Sequence, residues 1–72
     1  MTQYELILNY LKKRGIITPM DAFHHLGITK LATRISEMRT MGYVFMDNWV
    51  VDYNRFGEKV RYKQYILVGE PK

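Results

Sequence analysis

Leu26-Gly27-Ile28-Thr29-Lys30-Leu31-Ala32-Thr33-Arg34-Ile35-Ser36-Glu37-Met38-Arg39 is the stretch whose reading decides the fold. Gly27 stops the helix before it, because glycine enters the left-handed conformation at no steric cost. Ile28 follows as an apolar plug, and Thr29 is a preferred N-cap for a third helix running from Lys30 to about Met41. Leu31, Ile35 and Met38 recur at i, i+4 and i+7 and therefore share the face turned to the core. Thr33, Ser36, Glu37 and Thr40 lie opposite, flanked by Lys30 and Arg34, and Gly42 ends the helix. A helix, a tight glycine turn with a buried residue after it, and a second helix with a polar, partly basic face form a helix-turn-helix corner.

Upstream, Thr2 and Glu5 have capping-box spacing, and Tyr4, Ile7, Leu8 and Leu11 form one apolar stripe. Lys12, Lys13 and Arg14 suit the negative end of the helix dipole, and Gly15 offers the stop, so a first helix is expected over residues 3–14. Ile16-Ile17 is a β-branched step long enough only for a bridge. Thr18-Pro19 then supplies an N-cap and a proline at the first helical position, with Asp21 near the positive helix start. The second helix is expected from Pro19 to His25 or Leu26, burying Met20, Phe23 and Leu26.

Downstream of Gly42 the period changes. Tyr43-Val44-Phe45-Met46 and Trp49-Val50-Val51-Asp52-Tyr53 are rich in β-branched and aromatic residues, and Asn54-Arg55-Phe56-Gly57-Glu58 reads as a turn. From Lys59 to Leu67 the chain alternates, with Val60, Tyr62 and Ile66 on one face and Arg61, Lys63 and Tyr65 on the other. Val68 to Lys72 reads as a short tail. The expected fold is α+β: a winged helix-turn-helix of three helices followed by a β-hairpin wing, in one domain with its core over residues 2–67.

Seventy-two residues without cysteine have neither disulfides nor thiolate zinc sites to staple them, so a core must come from the 47% hydrophobic content. His24 and His25 are adjacent and point about 100° apart on a helix, which makes them poor joint ligands; no metal or other cofactor is expected. There is no glycine-rich phosphate loop and no nucleophile beside a histidine, so the chain reads as non-enzymatic. No apolar run approaches the roughly 20 residues of a membrane span, and the N-terminus has no signal-peptide pattern. No membrane partner and a cytoplasmic location are the corresponding expectations. A net charge of +4 favours a polyanionic partner, double-stranded DNA first among them.

On the third helix, the candidate DNA-binding residues are Thr29, Lys30, Thr33, Arg34 and Glu37. Arg34 has the fork for guanine O6 and N7, threonine can meet a thymine methyl, and Lys30 suits phosphate. Glu37 either accepts from cytosine or orients Arg34 three residues away. The bland alternative is a solvated helix face. In the wing, Arg55, Lys59, Arg61 and Lys63 form a basic strip for phosphates or an adjacent minor groove, or else simply protect a strand edge. Trp49, Tyr53 and Tyr65 are either core residues or an exposed aromatic patch for a protein partner or a second copy.

The stretches Ile17-Thr18-Pro19-Met20-Asp21-Ala22, Leu26 to Arg39, Gly42-Tyr43 and Asn54 to Tyr65 resemble the small phage- and prophage-associated helix-turn-helix proteins of the winged-helix type. The resemblance spans Thr2 to Leu67, with Leu31 to Arg39 similar to that family's third helix and Asn54 to Tyr65 to its wing. It implies a DNA-binding regulator of transcription, or an accessory factor in excision, working in the host-cell cytoplasm. Thr40 and Met41 stand where the family's helix usually carries more arginine and lysine, which implies a weaker phosphate grip there. A homodimer would read two half-sites about one helical turn apart. The competing expectation is a protein-binding module that docks on a host protein, since fold does not dictate function.

Overall fold

The computed structural model describes residues 1–72. Helix α1 spans Gln3–Arg14, as the apolar stripe and basic last turn require. Thr2 caps it by accepting from the Glu5 amide at 3.2 Å. The reciprocal half of the expected box takes another form: the Glu5 carboxylate accepts from the Thr2 hydroxyl, not from its amide. The two-way box occurs one helix later. There the Thr18 amide donates to Asp21 Oδ2 and the Asp21 amide donates to Thr18 Oγ1, each at 3.1 Å.

Helix α2 is regular only over Pro19–Asp21 and continues as a π-helical turn over Ala22–Leu26. This changes which side chains it buries. Met20 and Phe23 are 62% and 54% exposed and Leu26 is half-buried, whereas Ala22 is fully enclosed. The expected stripe took Met20, Phe23 and Leu26, but the inward side of this segment is made by Ala22 and Leu26, four residues apart, which leaves Met20 and Phe23 turned outward. Gly27 closes the turn at φ +69°, its amide donating to Phe23 O, while the Ile28 amide donates to Ala22 O. Ile28 is then buried, as the plug after the turn should be.

Helix α3 spans Leu31–Thr40, with Lys30 and not Thr29 at the cap position and no side chain capping it. Leu31, Ile35 and Met38 are buried as their spacing predicts. Together with Ile7 and Leu11 of α1, Ala22 and Ile28, they form one core that is closed on the other side by a sheet.

That sheet has the order β1-β3-β2, all antiparallel, with β1 at Ile16–Ile17, β2 at Val44–Tyr53 and β3 at Lys59–Gly69. Val68 and Gly69, expected in a tail, belong to β3, where Gly69 pairs with Val44 beyond a register shift. The two expected strand segments of β2 are one, because Asp47 and Asn48 stay in the ladder opposite Tyr65 and Gln64. Alternation along β3 holds, and the face covered by the helices is the one bearing Arg61, Lys63 and Tyr65. Tyr65 is buried there with Phe45 and Ile17, and Tyr65 therefore drops out of any exposed aromatic patch.

Beyond Asp47 and Tyr65 the hairpin leaves the core. The rungs from Asn48–Gln64 to Tyr53–Lys59 project by about 20 Å at the usual strand rise and make the molecule long, 44 × 23 × 21 Å. The Asn54 side chain closes the tip, its Oδ1 accepting from the Phe56 and Glu58 amides at 2.9 and 3.0 Å.

Candidate nucleic-acid interface

Thr29, Lys30 and Thr33 are all exposed at the start of α3. The first amides of a helix have no intrahelical partner, and here no side chain caps them, which leaves the positive end of the helix dipole open to an anion. Arg34 and Glu37 differ from them. Both are half-buried on the flank of α3 that faces α1, where the Tyr4 hydroxyl donates to Glu37 Oε1 at 3.0 Å. Arg34 Nε lies 3.2 Å from the same oxygen, an ion contact without the alignment of a hydrogen bond. Glu37 Oε1 thus contacts both Tyr4 of α1 and Arg34 of α3. The Glu37 hydrogen bond, desolvation and the Glu37 charge raise the Tyr4 pKa above the ordinary phenol value, against the opposing effect of Arg34.

The other flank of α3 faces the wing. Arg39 donates from Nη2 to Phe45 O at 3.3 Å and stands 3.9 Å from Asp47 Oδ2. The same carboxylate oxygen holds Lys63 Nζ at 3.2 Å. Lys63 Nζ and the Arg61 guanidinium lie 5.2 and 4.8 Å from the centre of the Trp49 ring, within cation–π range. A continuous series of charged and aromatic contacts thus runs from α3 along the wing.

Cross-strand register explains why these groups gather. Lys59 pairs with Tyr53, Arg61 with Val51 and Lys63 with Trp49, so all three bases of β3 stand on the sheet face that carries the helices. The opposite face of the wing presents the pairs Asn48–Gln64, Val50–Tyr62 and Asp52–Val60, without a basic residue. Arg55 is exposed in the tip turn. The three wing candidates on β3 therefore share one side, with Arg55 at the tip outside the ladder, and the helix candidates divide between an open end and a flank tied to α1. Arg39 and Asp47 escaped the sequence, since neither has a local partner and both act across a junction that only the folded chain makes.

Elsewhere, an open groove between the start of α2 and the wing is lined by Thr18, Met20, Asp21, Asp52 and Tyr62 among others. The Asp21 carboxylate in it is already committed to the Thr18 cap. No helix is long and apolar enough to cross a membrane.

Three helices with a glycine turn between the second and third, followed by a long hairpin whose bases face the helix side, define a winged helix-turn-helix. The chain belongs to the winged helix-turn-helix domain family, which matches residues 2–70. No curated protein and no solved structure gives a match. Membership suggests DNA binding, and domains of this kind are typically non-enzymatic binding modules.

Proposed function

We propose that this chain is a sequence-specific double-stranded DNA-binding protein, with α3 in the major groove and the wing on the flanking backbone. The observation that carries this is the register placing Lys59, Arg61 and Lys63 on the helix side of the sheet. Phosphates held there lie alongside a duplex that also meets the open end of α3, at Thr29, Lys30 and Thr33. Arg34, oriented by Glu37, serves as the guanine reader at the edge of that surface, and Arg55 extends the backbone contact at the tip. The resemblance to phage-associated proteins supports a role as a phage or prophage transcriptional regulator or excision accessory factor in the host cytoplasm.

The test is fluorescence anisotropy of a labelled short duplex across a salt series, followed by selection from a random duplex library. Binding that weakens steeply with salt and a recovered consensus are expected. Absence of duplex binding at low salt overturns the proposal.

One observation favours a second reading, a protein contact. Ile16, Ile66 and Met46 form a row across the outer face of the three-stranded sheet, where no layer covers them. A homodimer or a docked host protein would bury that row. Light scattering of the purified chain, alone and with Met46→Glu, separates a dimer from a monomer.

A further inference from the structure

We propose that the helix-side face of the wing is a stacking platform for unpaired bases, so that the chain favours DNA in which a single strand leaves a duplex over blunt duplex. This presupposes the DNA binding proposed above and names the form of DNA.

The core ends at Phe45 and Tyr65, yet the wing beyond it carries Trp49 and Tyr53 at 59% and 65% exposure and Phe56 at 79%. Rings left in water forgo the hydrophobic gain that burial would bring, so the core does not account for them. Trp49, Val51 and Tyr53 follow one another on the same face of β2, and each is paired with a base of β3. The result is an aromatic and apolar column beside a column of Lys63, Arg61 and Lys59.

That pairing is what a single strand needs. Arg61 and Lys63 cover part of the Trp49 indole at 4.8 and 5.2 Å from its centre, and a base laid on the part that stays open to solvent brings its phosphate to these two cations. Tyr53 lies about 13 Å further along the strand, far enough to take a separate base. Bases inside an intact duplex stack on one another and offer no such face. The Arg39–Asp47 and Lys63–Asp47 ion pairs join α3 to the platform, so a strand leaving a duplex held by α3 reaches Lys63, Arg61 and Lys59 in turn along the wing.

Trp49 is the only tryptophan, and its emission therefore reports on this face alone. The chain is titrated with oligo(dT), a blunt duplex, and the same duplex carrying a dT overhang. Quenching by oligo(dT) and by the overhang is expected, with the overhang raising affinity by roughly 5- to 100-fold over blunt duplex. Trp49→Ala, assayed by anisotropy of labelled DNA, should bring the ratio of the two affinities towards one, and Trp49→Phe should restore part of it. Circular dichroism confirms that these variants, altered outside the core, are folded.

An overhang that adds no affinity and leaves Trp49 emission unchanged overturns the platform while duplex binding stands. Equal losses on blunt and overhang DNA in Trp49→Ala also overturn it, since the ring then acts on the duplex. Binding of oligo(dT) without duplex supports the platform and overturns the duplex reading. Binding of neither overturns both.

Discussion

The Tyr4 hydroxyl on α1 donates to the Glu37 carboxylate on α3 across 3.0 Å, joining the first helix to the flank of the third. Accepting that proton keeps the phenol neutral and raises its pKa, with desolvation and the charge of Glu37 acting in the same direction. A folded pKa above the unfolded value near 10 means that the contact's contribution is whole below about pH 10. It is lost as pH rises from there through the raised folded value. Tyr4→Phe should lower the urea midpoint at neutral pH and make the decline above about pH 10 shallower than in the parent. Urea midpoints across an alkaline series check this; parallel curves would count against it.

Ile35 is 1% exposed at the centre of α3, among Leu31, Met38 and the α1 side chains. Ile35→Ala should cost about 2–5 kcal/mol from lost burial and the cavity left behind. That is a large part of the stability a chain of this size can hold, so the variant should be substantially unfolded in mild urea. Met46→Ala, on the uncovered sheet face, should shift stability by no more than about 0.5 kcal/mol. Comparable losses for the two would mean that the outer face is covered.

The first and third helices and their buried faces were legible because their apolar spacing is regular, although Thr2 caps the first and Thr29 does not cap the third. The second helix was not, since its larger side chains Met20 and Phe23 marked the apolar face while the core takes the small Ala22, in a segment that is only partly regular. Asp47-Asn48 looked like a break between strands because both residues are poor strand formers. In the fold, Arg39 and Lys63 balance the Asp47 charge and the ladder runs through. Lys59, Arg61 and Lys63 were legible as a strip, but which face of the sheet they occupy depends on Tyr65 being the residue the core takes. Arg39 was missed for the same reason, as its partners at positions 45 and 47 are across-element neighbours.

Gly42 connects α3 to β2 at φ +105°, and a Cβ there would come within 2.9 Å of the Pro71 side chain. Gly42→Ala therefore meets both backbone strain and a clash, and should cost about 1–3 kcal/mol. Removing Pro71 and Lys72 in the same chain should recover the part due to the clash and leave the backbone part. A double-mutant cycle on thermal unfolding measures the split. Strictly additive losses would show that the C-terminal residues do not rest on Gly42.

Lys59 and Arg61 are expected to act on phosphates, so glutamine at either should weaken binding to all duplex sequences alike, and Lys63→Gln should do so less because Asp47 already holds Lys63. The slope of log affinity against log salt should become shallower by about 0.9 for each phosphate that is no longer neutralised. Arg34→Ala should instead reduce discrimination between the selected consensus and its variants. A wing substitution that changes preference without changing the slope would remove the wing from the backbone.

Asp47 is the one carboxylate between the third helix and the wing bases, and it occupies both Arg39 and Lys63. A phosphate approaching Lys63 must compete with it and is also repelled by its charge. Asp47→Asn keeps the side-chain shape and removes that charge. At about 4 Å in a solvent-exposed setting, an ion pair amounts to about 1 kcal/mol, so duplex affinity at low salt should rise about fivefold. If the released Lys63 takes up a further phosphate, the salt slope should steepen by about 0.9. Anisotropy titrations of parent and Asp47→Asn at several salt concentrations measure both. Unchanged affinity and slope would mean that DNA does not approach the Lys63 side of the wing.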